Sequence, residues 1–447
     1  MQLEVIGVGG GGCRLAAAIR AWEADTPQSF VLDTFAFDTD TDTLASLPET
    51  VPEDNRYRYG DGVNHGLNGN LQRGLELGTE HVDELERQLD AGNPSIADGF
   101  LVAIGLGGAT GGGTAPALVS SLKRLYDAPV YVLATLPAAC ELEERDDSLV
   151  VEDVVADAAD TSDSPATAAA DQRGAASESA AEASDTKDTA GSAVAASNDG
   201  DTATDGITIA ETRPLADENA TQTLAQLEGL ADAIICFDNE AWLKTGESLA
   251  DGRVRLNEAF ATRVGKFFAA TGDAGEGRAQ PATTPEAETI IDANDVARIL
   301  GSRSSIVSIG YGTQQVDAPG GGSLLGLGFG PDIGPQLFAE DEAVETAAAY
   351  SAVETVIQKA LYGKHTLECE AADADRALVI VGGPPAWLNR QAITDGRRTV
   401  ESATETDELL GGDAPRPDGD SVFALVAFAG DTLRERLEER TASISSD

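Results

Sequence analysis

The stretch "GLGGATGGGTAP", Gly105 to Pro116, follows the apolar run "GFLVAI" and holds six glycines, two threonines and no charge. Glycine at the end of a strand costs conformational entropy and fills no core, so the pattern implies that the backbone itself is needed there. A second cluster, "GVGGGGC", Gly7 to Cys13, ends the apolar run that opens the chain. Two strands that both run into glycine turns point to an open α/β sheet. In such a sheet ligands bind at the carboxyl ends of the strands, where turns and helix starts present free N–H groups. The ligand suited to such turns is an anion.

The rest of the chain fits that constraint. "LEVIGVGG", "VLDTFAFDTD", "GFLVAIGL", "APVYVLATLP" and "ADAIICFDN" read as buried strands, and helical patterns such as "CRLAAAIRAWEA", "GTEHVDELERQLD" and "TAPALVSSLKRLYD" lie between them. This alternation predicts a Rossmann-like parallel sheet with helices on both faces over residues 1–252. Residues 146–220 break the pattern. They are rich in Ala, Asp, Ser and Thr and too poor in large apolar groups to offset ordering entropy, so an acidic disordered insertion is expected. A long central helix is expected over 253–272, then a polar linker over 273–288. From 289 to 434, strands "SIVSIGYGT", "RALVIVGGPP" and "SVFALVAFAG" and the helix "AVETAAAYSAVETVIQKALYG" predict an α+β domain with a mixed sheet. Residues 435–447 read as a frayed helix and loose tail.

Charge narrows the partners. The net charge is −47, from 77 acids and 30 bases, and only six of the bases are lysine. Residues 146–220 hold 18 acids and 3 bases, so removing them leaves 59 against 27, still −32. The acidity is spread over the folded parts, as expected of a protein kept soluble in the high-salt cytoplasm of a halophile. With no basic patch, nucleic acid is not an expected partner. No run of eighteen apolar residues predicts a membrane segment. Cys13, Cys140, Cys236 and Cys369 are scattered and read as reduced, small apolar residues. His65, His81 and His365 lack metal-like spacing and read as surface residues, and no protein metal site is expected.

The first glycine cluster alone would suit a dinucleotide-binding turn. A second one after a later strand does not belong to that reading, and the absence of GxxxxGK[ST] excludes a Walker loop. Two glycine turns without a lysine suggest phosphates cradled by backbone N–H groups, a helix dipole and Mg²⁺. "GGATGGG", Gly107 to Gly113, resembles the tubulin signature of the tubulin/FtsZ superfamily, and "VIGVGGGGC" resembles its first nucleotide loop. "FDTDTDTL", "IICFDNEAW", "RLNEAF" and "IIDANDVARILGSRSSIVSIGYGT" resemble further segments of that family. "RALVIVGGPPAWLNRQAITDGRRTVE" is similar to the C-terminal domain of the archaeal CetZ, or cell-shape, branch.

The resemblance implies GTP and GDP as ligands, with Gly9, Gly10, Gly11, Gly12, Cys13, Arg14, Gly107, Gly108, Ala109, Thr110, Gly111 and Gly112 around the phosphates. It puts Glu141 at the ribose and Asn239 and Asn257 at guanine. It further implies head-to-tail filaments, possible co-assembly with FtsZ or CetZ relatives, and a GTPase site completed by a neighbouring subunit's Asp292 and Asp295. Those two acids, three apart ahead of "VARIL", equally suit an N-cap and first-turn acid. Asp295 stands where relatives often have Glu, one methylene longer, which predicts slow hydrolysis.

Three departures bear on this reading. Ala109 replaces a signature glycine and would strain a turn that needed positive φ. Arg14 either binds phosphate or points to solvent, and Arg253 replaces an aromatic that relatives often stack on guanine. The rival functions are a non-polymerising GTP-binding regulator, an FtsZ-type division protein and, least supported, a Rossmann dehydrogenase.

Overall fold

The computed structural model describes residues 1–63, 66–142, 213–271, 291–301, 303–316, 344 and 346–444. The chain divides into two units, residues 1–144 with 210–447, and residues 145–209; the second unit lies outside the described residues.

The first part runs β1 (Leu3–Val8), α1 (Gly9–Ala24), β2 (Val31–Asp38), α2 (Thr41–Ala45), β3 (Arg56–Arg58) and α3 (Leu71–Leu89). Next come β4 (Gly99–Gly105), α4 (Ala109–Leu125), β5 (Val130–Leu136), α5 (Ala216–Leu227), β6 (Ala233–Asp238) and α6 (Asn239–Trp242). The long helix α7 (Leu249–Ala270) leads to α8 (Ala293–Leu300), β7 (Ser305–Gln315), α9 (Thr346–Tyr362), β8 (Arg376–Gly383) and α10 (Arg390–Thr404). The chain closes with β9 (Glu408–Pro415), β10 (Ser421–Gly430) and α11 (Thr432–Ile444).

These strands form one sheet in the order β3-β2-β1-β4-β5-β6-β7-β10-β8-β9. Strands β3 to β7 are parallel, β10 is antiparallel to both β7 and β8, and β9 is parallel to β8. The expected pairing of a parallel sheet with a mixed C-terminal sheet is therefore present. Two strands were not expected: β3 has three residues and β9 is rich in glycine and acid, so neither shows an apolar run.

Helices cover both faces. Leu15 and Ile19 of α1, Leu256, Phe260 and Val264 of α7, and Val296 of α8 pack on one face. Leu77, Leu118, Leu224, Val356, Val400 and Leu437, from α3, α4, α5, α9, α10 and α11, pack on the other. The segment expected to fray is mostly α11, which docks through Leu433 and Leu437, both buried to within 1 %. Of residues 146–220, only 213–220 are described: Ala216 and Ala220 are buried and open α5. The linker 273–288 lies outside the described residues.

The parallel register places the carboxyl ends of the central strands side by side: Val8 lies opposite Phe37 and Ile104, and Leu136 opposite Asp238. Both glycine clusters emerge on that edge. Helix α7 runs away from it. Its last turn reaches the other edge, where the Met1 amino group, next to the start of β1, donates to the Thr271 carbonyl at 3.4 Å.

Candidate functional site: two open helix starts and a facing set of arginines

Gly9 to Gly12 and Gly111 to Gly113 are helical rather than looped, while Gly107 and Gly108 stay in the turn before α4. Gly9 to Gly12 form the first turn of α1, and α4 begins at Ala109, five residues before the expected start, so "ATGGGT" is its opening turn. Packing, not propensity, decides this. A methyl group on Gly12 would lie 2.0 Å from the Ala103 carbonyl oxygen of β4, and one on Gly113 would lie 2.3 Å from the Gly74 carbonyl carbon of α3. Gly74 and Gly78, one turn apart on α3, meet Ala109 and Thr114 of α4 as closely. The glycines let backbones touch at several points, which offsets their entropic cost in a helix.

The two helix starts converge. A methyl on Gly9, which has φ +69°, would sit 2.7 Å from the Gly111 nitrogen. Neither start has a side-chain cap: the residue before α1 is Val8 and the one before α4 is Gly108. By contrast α2, α3, α6, α7, α8 and α10 are capped by Asp40, Asn70, Asp238, Ser248, Asp292 and Asn389. First-turn N–H groups without a cap need water or an anion, and the helix dipole favours the anion. Gly11 is exposed and Gly10 and Gly108 are half-exposed, so the cradle is open.

Ala109 does not strain the turn. It is absent from the residues with positive φ and is helical and buried, so the expected penalty does not arise. The Thr110 hydroxyl lies 3.2 Å from that of Thr39, at the end of β2. Cys13 is fully buried and its thiol faces the Gly7 and Phe37 carbonyls at 3.5 Å, away from the cradle. Asp38 ends β2. Its Oδ1 accepts the N–H groups of Thr39 and Asp40, and its buried Oδ2 has no hydrogen-bond partner. Burial pushes its pKa up to about 6, against those backbone bonds and the charge of Arg14.

Arginines stand beside this edge. Arg14, one turn along α1, reaches back so that its guanidinium would touch a methyl on Gly10 at 3.2 Å. Arg213, which the sequence did not single out, pairs with the buried Glu141, and its N–H donates to the Glu141 carbonyl at 2.6 Å. Desolvation, with Arg253 and Arg14 close by, pulls its pKa down to about 10. The Glu141 pair offsets part of the mutual repulsion of these three cations, and a polyanion at the two open helix starts would offset the rest. Only an interaction across 72 residues reveals Arg213, so no local motif could have marked it.

Glu141 also accepts the Ala138 N–H at 3.0 Å. Asn239 opens α6 at the end of β6, its amide donating to the Leu136 carbonyl at 2.8 Å. Asn257 is half-buried on α7, one turn after Arg253 and on the same face.

Asp292 and Asp295 are elsewhere. They follow the far end of α7 and form a reciprocal capping box: Asp295 N–H donates to Asp292 Oδ1 at 2.9 Å, and Asp292 N–H to Asp295 Oδ2 at 3.3 Å. His365, expected at the surface, is buried. Its Nε2 bonds the Ala360 carbonyl at 2.8 Å and its ring packs on Phe428, 5.1 Å between centroids. All four cysteines are free, with Cys13 and Cys236 buried and Cys140 exposed. No helix among the described residues is long and apolar enough to cross a membrane.

An open α/β sheet with an anion cradle at the ends of its first and fourth strands defines a nucleotide-binding protein. Residues 2–163 match the family described as Tubulin/FtsZ family, GTPase domain, and residues 246–444 match Tubulin-like CetZ, C-terminal domain. The chain belongs to the tubulin/FtsZ family, in its CetZ branch. Tubulin-like protein CetZ5 of Haloferax volcanii is 29% identical over 100% of this chain and 92% of its own. Among solved structures, the GDP-bound monomer of CetZ1 from Haloferax volcanii aligns with TM-score 0.69 and 24% identity, over 100% of this chain and 98% of that one. The GTPγS-bound protofilament of CetZ2 from the same organism aligns with TM-score 0.67 and 25% identity, over 99% and 98%.

Proposed function

We propose that this protein is a GTP-binding cytoskeletal subunit that assembles head-to-tail and hydrolyses GTP at the contact between subunits, in service of cell shape. The convergence of two uncapped glycine helix starts, with arginines beside them, carries the reading: it suits a polyphosphate and leaves the base to Asn239 and Asn257. Gly9 to Gly12 and Gly107 to Gly112 hold phosphates by their backbone, with Arg14 and Thr110 beside them, and Glu141 faces the ribose.

Asp292 and Asp295 of the next subunit orient the attacking water. Their helix leads into β7, whose start pairs with the start of β6 at the edge opposite the glycine turns. That supports a composite site, because a head-to-tail stack brings this edge of one subunit to the glycine edge of another. Such a contact is heterologous and does not close on itself, so it builds filaments. A relative solved as a protofilament supports the same mode of assembly.

Mg²⁺, when bound beside the phosphates, would supply charge neutralisation there. Among the described residues no three His, Cys, Asp or Glu side chains gather as a metal cage, and a phosphate-held Mg²⁺ needs none. The unstrained Ala109 removes one reason to favour a non-polymerising regulator. The CetZ-type C-terminal domain favours shape over division. The protein's place is the salt-rich cytoplasm, where its charge of −47 is screened.

Phosphate release from GTP, in molar KCl with Mg²⁺ and over a series of protein concentrations, tests the reading. A threshold followed by a steep rise is expected. Turnover proportional to concentration from the lowest value would show a site complete in one chain and defeat it.

A further inference from the structure

Asn239 sits on a short support. Helix α6 has only four residues, so its position depends on what holds its ends. Asp238, immediately before it, is 2% exposed and caps α6 through Oδ1, which accepts the Ala241 N–H at 3.2 Å. The same carboxylate receives two hydrogen bonds from one guanidinium: Arg440 Nε to Oδ2 at 2.7 Å and Nη2 to Oδ1 at 3.3 Å. Arg440 lies on α11, 202 residues further along the chain.

Helix α11 is a firm base for that grip. Leu433 and Leu437 are buried, and Arg434 donates to the Ser304 carbonyl. Arg436 pairs with Asp373 at 3.3 Å. α11 also packs against α5, whose Ala216 rests on Gly107 and whose Asn219 donates to the Gly107 carbonyl at 3.3 Å. One helix thus supports both the turn under the phosphates and the residue before the base-reading asparagine.

We propose that Arg440 is a positioning residue for guanine recognition: through Asp238 it fixes α6 and the direction of the Asn239 amide. This rests on the reading of Asn239 as the base-reading residue. A planar guanidinium holding both carboxylate oxygens fixes the orientation of the carboxylate as well as its charge. Without it, Asp238 is a buried carboxylate that keeps only its cap bond and turns toward water. That loosens the first turn of α6 around Asn239, while Trp242, donating to the His365 carbonyl at 3.1 Å, still holds the far end. The phosphate cradle on α1 and α4 does not depend on Asp238, so the effect falls on base discrimination rather than on phosphate binding.

The test compares GTP with ATP, by equilibrium titration in molar KCl, for the natural protein and for Asn239→Ala, Arg440→Ala and Arg440→Lys. Arg440→Ala should lower GTP affinity about tenfold, as loss of a charge-assisted bond does, while ATP affinity stays put, so the GTP/ATP ratio collapses. Arg440→Lys, which keeps the charge but not the fork, should fall between. Melting curves check that each variant is folded; if the alanine variant is not, the lysine variant carries the test. An unchanged ratio in folded Arg440 variants, with a collapsed ratio in Asn239→Ala, overturns the positioning role alone. An unchanged ratio in Asn239→Ala overturns the base-reading assignment, and the proposal with it.

Discussion

The starts of α1 and α4 and the start of α8 solve the same problem in opposite ways. Every helix begins with N–H groups that lack a partner within the helix. At α8 the chain supplies the partners itself, Asp292 and Asp295 closing a reciprocal box. At α1 and α4 it supplies none, and glycine keeps the approach clear. The first solution finishes a helix, and the second leaves a place for an anion. That the two acids proposed to orient water coincide with the finished start means they have a structural duty whether or not a neighbour is present.

The comparison breaks most visibly at the glycines. Gly12→Ala pushes a methyl to 2.0 Å from the Ala103 carbonyl oxygen, with no flexible side chain to yield. We expect a loss of about 3 kcal/mol, read as a collapse of the melting transition in high salt. Gly11→Ala is the contrast, because its methyl would meet nothing closer than 3.4 Å and alanine is the better helix former. The melting temperature should hold or rise, while affinity for a GTP analogue falls about tenfold as the methyl crowds the phosphates. If Gly11→Ala binds normally, the open starts are a packing device only.

The acid pair comes next. Asn caps a helix about as well as Asp, so Asp292→Asn with Asp295→Asn keeps the fold and removes both carboxylates. GTP binding and assembly should persist while phosphate release drops about 100-fold or more, the usual worth of a positioned acid or base. Mixing this variant with Gly11→Ala, at a GTP concentration low enough to leave the Gly11→Ala chains almost empty and so inactive alone, gives a sharper test: activity should return in part, because one chain supplies the acids and the other the nucleotide. Two inactive partners that stay inactive together would argue against a shared site.

Much of this was legible in the sequence, for physical reasons that differ by region. The central strands announce themselves as apolar runs, and each ends in a turn rich in glycine or acid, so the sheet edge could be located by reading alone. The helical state of "ATGGGT" could not be read, because glycine opposes a helix locally and only the close passage of α3 over α4 overrides it. Arg213 and Arg440 escaped notice for another reason. Each acts through a carboxylate far away in sequence, Glu141 and Asp238, and each sits in a stretch whose local character says little: an acidic, low-complexity segment and a polar, highly charged one. His365 is buried because the 365–367 turn pairs with β7, a tertiary contact without a local signal.

Asp38 gives a smaller, pH-dependent effect beside the open starts. Its folded pKa of about 6 exceeds the ordinary 3.8, so the fold favours the protonated form. The stability it contributes is complete below pH about 4 and lost as pH rises through about 6, a drift on the order of 2 kcal/mol. Asp38→Asn should flatten that part of a plot of melting temperature against pH in nucleotide-free protein. Glu4 is a control away from the cradle: burial raises it to about 7, and its drift, with the same sign, should survive the substitution.

The smallest effect separates the two duties of the α8 acids. In the capping box Asp295 accepts the Asp292 N–H at 3.3 Å, a long bond, and glutamate is the commoner residue at that position of such boxes. Asp295→Glu therefore keeps or tightens the cap and leaves the melting temperature nearly unchanged. If the residue also orients water on a neighbour's nucleotide, the extra methylene extends its reach. Turnover above the assembly threshold should then rise several-fold with the threshold itself unmoved. A raised melting temperature without faster turnover would confine Asp295 to the cap, and α8 would then be a finished helix start and nothing more.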